Sequence, residues 1–330
     1  MNETIFEAKD LSRSFMVGRS ALQKLVDRLA DIHPPAALRA VDNVSLSLKA
    51  GETLGVVGES GCGKSTLARM IAGILPISSG ERRFRGEVYE SFLARKKDAL
   101  KIQMVFQDPL SSLNPRLRVG EIVGEAAVLH GLVRRSKMRD YVIDILARVG
   151  LPADSINRYP HQFSGGQRQR VGIARALAVK PDMLICDEAV AALDVSVQAQ
   201  IINLLMDIKR DSGLAMIFIS HDLGVIRHLC DRVAVMYLGR VVELAETEQL
   251  FAAPTHPYTR MLLDGMPKIS LQRRQFMPIN GEIPSPLNPP SGCHFHPRCP
   301  MATDQCCSRR PELREAAPGH MHACLNIEPG

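Results

Sequence analysis

Five short runs of continuous apolar residues punctuate the chain: Thr53–Val57, Lys101–Phe106, Met183–Cys186, Ala215–Ser220 and Val233–Tyr237. Runs of this length, bounded by turn residues, predict strands buried on both faces. A different rhythm marks residues 41–48, VDNVSLSL, within Ala40–Leu48, where strict alternation predicts a half-buried strand. Thr4–Leu11 reads as an edge strand, and Arg240–Leu244 as another strand. Helical spacing recurs at Ala21–Ile32, which stops before Pro34-Pro35, and at Leu67–Ile74, Val119–His130, Arg139–Val149 and Val195–Asp211. Strands alternating with helices predict an α/β fold around a mainly parallel sheet. From Pro115 to about Val179 no strong strand intervenes, so this part reads as a helical insertion. Beyond about Ile269 periodicity fades and Pro, Gly, Cys and His dominate. The chain therefore divides into an α/β unit, 1–268, with a helical subdomain at about 115–179, and a loop-rich, Cys-rich region, 269–330.

Composition changes this picture little. Hydrophobic residues are 45% and charged residues 23%, ordinary for a globular chain with ample core. No stretch is apolar and long enough to cross a bilayer, and MNETIFEAKD lacks the basic-then-apolar pattern of a signal peptide. The protein is expected in the cytosol, or held at a membrane by a partner. A net charge of +6, aromatics at 5% and no Trp give no stacking platform for single strands, so nucleic acid is not an expected partner. Arg82, Arg83, Arg85, Arg95, Lys96, Lys97 and Lys101 read as solvated faces of short strands and a helix.

The chemistry starts at Gly58–Thr66, GESGCGKST, between a buried strand and a helix. Gly58, Gly61 and Gly63 let the backbone turn tightly, so that the N–H groups of Ser60, Cys62 and their neighbours point inward at a helix start, a cradle for phosphates. Lys64 brings a point charge to the β/γ-phosphates. Ser65 offers a hard oxygen for Mg²⁺, and Thr66 reaches a further phosphate oxygen. The apolar run ending at Asp187-Glu188 delivers two carboxylates to the carboxyl edge of the sheet. Asp187 suits Mg²⁺, and Glu188 suits the attacking water. Gln107 and His221 each follow a strand, one positioned to bridge metal and water, the other to touch the γ-phosphate. Ser164-Gly165-Gly166-Gln167 forms a second candidate anion-binding element, an N-cap followed by two glycines.

Together these stretches resemble the ABC ATPase family over roughly Thr4–Leu263. GESGCGKST is similar to its Walker A motif, FSGGQRQR to its signature and MLICDE to its Walker B. Gln107 sits at the Q-loop, Ala192-Leu193-Asp194 at the D-loop and His221 at the H-loop. The resemblance implies a P-loop ABC cassette with an antiparallel β subdomain, in which ATP is held between the Walker A of one subunit and the signature of a second. Glu188, His221 and Gln107 are then catalytic, and Phe15 is the candidate to stack on adenine. Mg²⁺ is expected on Ser65, Gln107 and Asp187. Ala189 and Ala192 stand where the family usually has proline and serine, and hydrolysis is expected to be retained.

QDPLSSLNPR, THPYTRMLL and the Cys-rich end narrow the resemblance to the ATPase subunits of bacterial oligopeptide/dipeptide importers, whose relatives also take up nickel. That implies a second ATPase subunit, a paralogue or a copy of itself. It also implies two integral membrane permeases, an extracytoplasmic substrate-binding protein and a peripheral place on the cytoplasmic face of the inner membrane. The last cysteines are spaced Cys293-x5-Cys299-x6-Cys306-x17-Cys324. Four thiolates suit either Zn²⁺ or a [4Fe–4S] cluster. The family pattern is similar to an iron–sulfur site on these four, with Cys307 the extra, while His294, His296, His320 and His322 keep zinc open. The reading from a different class is a soluble ABC ATPase of DNA repair or translation with a C-terminal zinc module.

Overall fold

The computed structural model describes residues 3–16, 37–95, 98–108, 112–266 and 281–327. The expected helix Ala21–Ile32 lies outside them, as do residues 109–111 of the stretch after Gln107.

Two sheets face each other. Among the described residues the larger has eight strands, and the five running to one edge are parallel. These are β3 (Thr53–Val57), β6 (Ile102–Val105), β7 (Met183–Asp187), β8 (Ala215–Ile219) and β9 (Arg232–Tyr237), in the order β9-β3-β8-β7-β6. Three of them, β3, β7 and β8, are buried at every position, which is why they read as unbroken apolar runs. Their side chains alternate between two cores. Leu184, Cys186, Met216 and Phe218 face one side, and Met183, Ile185, Ile217 and Ile219 the other.

The smaller sheet is antiparallel, ordered β2-β1-β4-β5, from β1 (Thr4–Phe15), β2 (Leu38–Lys49), β4 (Ser79–Phe84) and β5 (Glu87–Val88). The N-terminal strand, expected at an edge, lies inside this sheet, flanked by β2 and β4. Helix α1 (Lys64–Ile71) shares the core between the two sheets through Leu67, Met70 and Ile71. Arg82 also departs from expectation. It is 4% exposed, pairs with Glu90 at 2.6 Å and lies over the Tyr89 ring, in the short helix α2 (Tyr89–Ala94).

The helical region forms as its periodicity predicts, from α3 (Val119–Leu129), α4 (Met138–Arg148) and α5 (Gly165–Leu177). Val119, Val123, Val142, Leu146 and Val171 bury their apolar faces together, each worth about 1.5–3 kcal/mol. Helix α6 (Val195–Ser212) then returns the chain to β8.

The C-terminal stretch is better integrated than its composition suggests. Helix α7 (Leu223–Leu229) packs against the sheet ahead of β9; after β9, β10 (Arg240–Glu246) turns back antiparallel, followed by α8 (Thr247–Ala252) and α9 (Pro257–Asp264). A short helix α10 (Asp304–Ser308) precedes a hairpin, β11 (Arg314–Ala317) and β12 (His320–His322), and β12 extends the large sheet beside β10. Glu243 fixes this docking. It is fully buried and accepts from the N–H groups of Thr255 and His256 at 2.7 and 2.9 Å, with its other contact to His320 Nε2 at 2.6 Å. Burial opposes its charge, yet these partners hold its carboxyl below the usual range. Phe295, 1% exposed, packs on Tyr237 and Tyr258 with ring centres 5.3 and 5.4 Å away. No described helix is long and apolar enough to cross a membrane.

Candidate functional site

The glycine loop leaves β3 at Val57 and enters α1 at Lys64. Gly63 has φ +106°, and a Cβ there would sit 2.0 Å from the Ala40 carbonyl oxygen; at Gly58 a Cβ would meet Met236 O at 2.2 Å. Only glycine lets the loop close this tightly. Gly63 caps α1 with no side-chain bond, and no acidic residue occupies the first turn. The first N–H groups are thus left for an anion. Lys64 is buried, and its Nζ donates to the loop's own carbonyls, Gly58 O at 2.8 Å and Glu59 O at 3.0 Å. Phosphate oxygens entering the cradle would take over this ammonium. Cys62 turns its side chain inward, 4% exposed with Sγ 3.9 Å from Lys64 Nζ, and burial pushes its thiol up. It serves the loop through its backbone, which accepts from Gly239 N at 2.8 Å.

Around the loop lies a cavity of about 370 Å³, whose lining includes Phe15, Ser60, Gly61, Lys64, Thr66 and Glu188. Phe15 is at the end of β1, where an aromatic face can meet a base. A cavity of about 680 Å³ lies between the C-terminal stretch and the antiparallel sheet, but it contains none of the motif residues. Its cations Arg240 and Arg310 already pair with Asp42 at 2.7 and 3.6 Å.

The parallel sheet carries four further groups to the same place. Ser65 Oγ donates to Asp187 Oδ1 at 2.8 Å, joining the loop to the end of β7. Burial raises the Asp187 carboxyl, and the Ser65 bond and the charge of Arg69 pull it back. Glu188 follows at φ +48°, a left-handed conformation that costs a non-glycine residue about 1–3 kcal/mol. Its N–H is held by Ile219 O at 3.1 Å. The carboxylate accepts from Gln107 Nε2 at 2.9 Å, and His221 Nδ1 stands 3.8 Å from its other oxygen. Ser65, Asp187 and Gln107 present oxygen donors beside the phosphate cradle, a set of the hardness Mg²⁺ prefers.

A second group stays apart. Ser164 caps α5, accepting from Gln167 N at 3.3 Å while Gln167 Oε1 accepts from Ser164 N at 3.0 Å. Ser164 and Gly165 are exposed, and none of Ser164, Gly165, Gly166 or Gln167 lines the cradle. Gly166 lies against α6, where a Cβ would meet Val197 Cγ1 at 2.3 Å. Asp194, at the N-cap of α6, makes no capping bond of its own and is likewise exposed.

Sequence reasoning missed the rim. Leu38, Arg39, Ala40, Leu238 and Gly239, from β2 and the β9–β10 turn, line the cavity, together with Pro286 of the C-terminal stretch. Their only local sign is the Leu-Gly turn at 238–239. Glu59 and Arg298 were missed as a pair. The guanidinium grips the carboxylate at 2.7 and 2.9 Å, and this raises the Arg298 pKa further.

The eight cysteines are free thiols. Burial raises Cys293 to about 11, and the thiolates of Cys306, Cys299 and Cys324 add to this, so the four share one neighbourhood. Cys293 N donates to Cys306 O at 2.8 Å, whereas Cys307 is exposed. Among the described residues no three His, Cys, Asp or Glu side chains converge closely enough to hold a single metal ion. Three of the four nearby histidines are engaged elsewhere. His294 Nδ1 contacts Leu238 O, His296 Nδ1 contacts Cys293 O and His320 contacts Glu243. Of these four histidines, His322 has both ring nitrogens buried without a hydrogen-bond partner among the described residues.

The chain is similar to known proteins in sequence and in fold. Residues 41–191 match the family described as ABC transporter, and residues 242–306 match the family described as oligopeptide/dipeptide transporter, C-terminal region. The oligopeptide transport ATP-binding protein OppF of Salmonella typhimurium is 50% identical over 305 residues, covering 90% of each chain. A probable peptide ABC transporter ATP-binding protein, y4tS, of Sinorhizobium fredii is 51% identical over 290 residues, 87% of this chain and 82% of that one. Among solved structures, cbiO1 of Clostridium perfringens, part of the ABC transporter complex cbiONQ, superimposes with a TM-score of 0.63 at 28% identity, over 76% of this chain and 92% of its own. The dimeric bacterial ABC transporter cassette MJ0796 gives 0.63 at 27% identity, over 74% and 99%.

Proposed function

The chain belongs to the ABC transporter family, as an ATP-binding motor subunit of the oligopeptide/dipeptide importers, and from that premise we propose how its residues divide the work. Each ATP is held by the glycine loop of one cassette and the Ser164–Gln167 helix start of a second. The observation that carries this is the separation itself: a capped, exposed helix start with paired glycines stands outside its own cradle. The likeness to a cassette solved as a dimer supports it. The second cassette is a paralogue or another copy of this chain.

Within the composite site, Lys64 and the loop N–H groups hold the β- and γ-phosphates, and Phe15 stacks on the adenine. Mg²⁺ would be held by Ser65, Asp187 and Gln107, and it supplies charge neutralisation at the phosphates. Glu188 orients the attacking water and takes its proton, with Gln107 fixing one carboxylate oxygen and His221 reaching toward the γ-phosphate. Water adds to the γ-phosphorus in line, the bond to the bridging oxygen of ADP breaks, and ADP, inorganic phosphate and a proton leave. Ser164, Gly165, Gly166, Gln167 and Asp194 act across the interface on the partner's nucleotide.

The cargo is peptide, as the relatives' names support, and those names weigh against a DNA-repair or translation ATPase. Two permeases in the bacterial inner membrane receive the motion through the helical region near Gln107, an extracytoplasmic binding protein delivers the peptide, and the chain sits on the cytoplasmic face. Uptake of labelled di- and oligopeptides should be lost when this chain is deleted, and restored by the wild type. Nickel uptake lost in place of peptide uptake would overturn the cargo.

Residues 269–330 carry a second functional element, built on Cys293, Cys299, Cys306 and Cys324. Four free thiols suit iron–sulfur chemistry. A [4Fe–4S] cluster takes four thiolates, and Cys293 has Cys299, Cys306 and Cys324 in its neighbourhood. When bound, the cluster supplies a covalent staple; the thiols supply its anchors. Anaerobically purified full chain should contain about four irons and four sulfides per chain. Cys306→Ser should lose them while Cys307→Ser keeps them. Stoichiometric zinc in their place would contradict the assignment.

A further inference from the structure

Arg298 lies one residue before Cys299, yet its guanidinium reaches the phosphate loop. It grips both oxygens of Glu59 at 2.7 and 2.9 Å, and its Nη1 is 3.3 Å from the Tyr237 hydroxyl. Arg298 is 3% exposed and Glu59 17%. The same loop residue is held again through its backbone, since Glu59 N donates to the Tyr258 hydroxyl at 2.9 Å. On its other side, the Glu59 carbonyl takes the Lys64 ammonium at 3.0 Å. The Glu59 carboxylate therefore belongs to the residue whose own carbonyl binds the phosphate-reading lysine. An unpaired carboxylate there would repel a triphosphate, and it could swing toward Lys64 and neutralise it.

We propose that Arg298 is a positioning residue of the nucleotide site, which neutralises Glu59 and turns it away from the triphosphate, so that the Cys-rich stretch completes the ATP cradle of its own chain. This rests on the reading of Gly58–Thr66 as the ATP site. The docking of Phe295 among Tyr237 and Tyr258 fixes where Arg298 stands, so the folding of the C-terminal stretch and the affinity for ATP are linked through one ion pair.

A charge cycle separates this role from simple packing. In the full chain, Arg298→Met should weaken ATP binding about tenfold, the size expected for one poorly screened charge near a polyanion, and raise KM for ATP alike. The rate at saturating ATP should change by less than about twofold, because the hydrolytic groups Glu188, Gln107 and His221 are untouched. Glu59→Gln should bind ATP at least as well as wild type, since it removes the repulsive charge. The double variant should then recover to within about threefold of wild type. Arg298→Lys, which keeps the charge and most of the packing, should restore most of the affinity and covers the case in which the Met variant does not fold. A double variant as weak as Arg298→Met, or Arg298→Met with unchanged affinity, would overturn the proposal. Wild-type ATP binding lost on Lys64→Met tests the underlying site separately.

Discussion

Glu188→Gln should slow ATP hydrolysis by about a thousandfold while leaving ATP binding within about twofold of wild type. The magnitude follows from what the substitution removes. A carboxylate that accepts the proton of the attacking water becomes an amide that cannot, and general-base contributions of this kind are about 10²–10⁴. The geometry is otherwise preserved. The Gln side chain has the same shape, the left-handed backbone at this position is held by Ile219 O, and Gln107 can still donate to a carbonyl oxygen. The cradle itself lies in Lys64, Ser65 and Thr66, which this change does not touch. Steady-state phosphate release and titration with a fluorescent ATP analogue check the two halves. A variant retaining more than a tenth of wild-type turnover would remove Glu188 from the centre of the mechanism.

Ser164→Arg in every cassette should abolish turnover, by at least about a hundredfold, without weakening the binding of ATP to an isolated chain. Ser164 makes no contact with its own cradle, so a long cation there leaves that affinity alone. The lost N-cap costs about 1 kcal/mol, too little to unfold a helix whose Gln169, Val171, Ile173 and Ala174 are buried. The defect is expected where a second chain presents this helix start to the γ-phosphate, because the arginine fills the space between two glycine-lined surfaces. Full activity in the variant would show that the signature helix does not work across an interface.

The fold was legible wherever the physics is local. Strands β3, β7 and β8 announce themselves because both faces are buried, and α3 and α4 because one face is. What was illegible depends on distant partners. Residues 4–11 alternate like any half-buried strand, and only the pairing of β1 with β2 on one side and β4 on the other makes it an interior strand. The hairpin β11–β12 has four and three residues, too few for a periodic signal, and its buried His320 and His322 look like surface positions until Glu243 is placed beside them. Arg82 looked solvated for the same reason, its partner Glu90 and the Tyr89 ring being apparent only once α2 folds back on β4.

The site divides in the same way. Gly58–Thr66 and Asp187-Glu188 are contiguous, so residue type and spacing sufficed to single them out, whereas their joining through Ser65 and Asp187 spans 122 residues. Arg298 and Glu59 are 239 residues apart, and neither carries a motif that points to the other. The Cys spacing was visible, but that the thiols gather without converging on one ion required the folded chain. Ser164–Gln167 was readable as an anion-binding helix start, and only the fold reveals that it has no anion-binding partner within the described residues of its own chain.

The claim on which the rest depends is that ATP joins two cassettes. The direct measurement is sedimentation velocity of the full-length Glu188→Gln chain, alone and mixed with the second cassette subunit of its transporter, in ATP and in ADP. The account predicts a two-cassette species in ATP that falls apart in ADP and does not form when Ser164→Arg is added. Single chains in ATP under both conditions, from a protein whose wild type hydrolyses ATP, would contradict it.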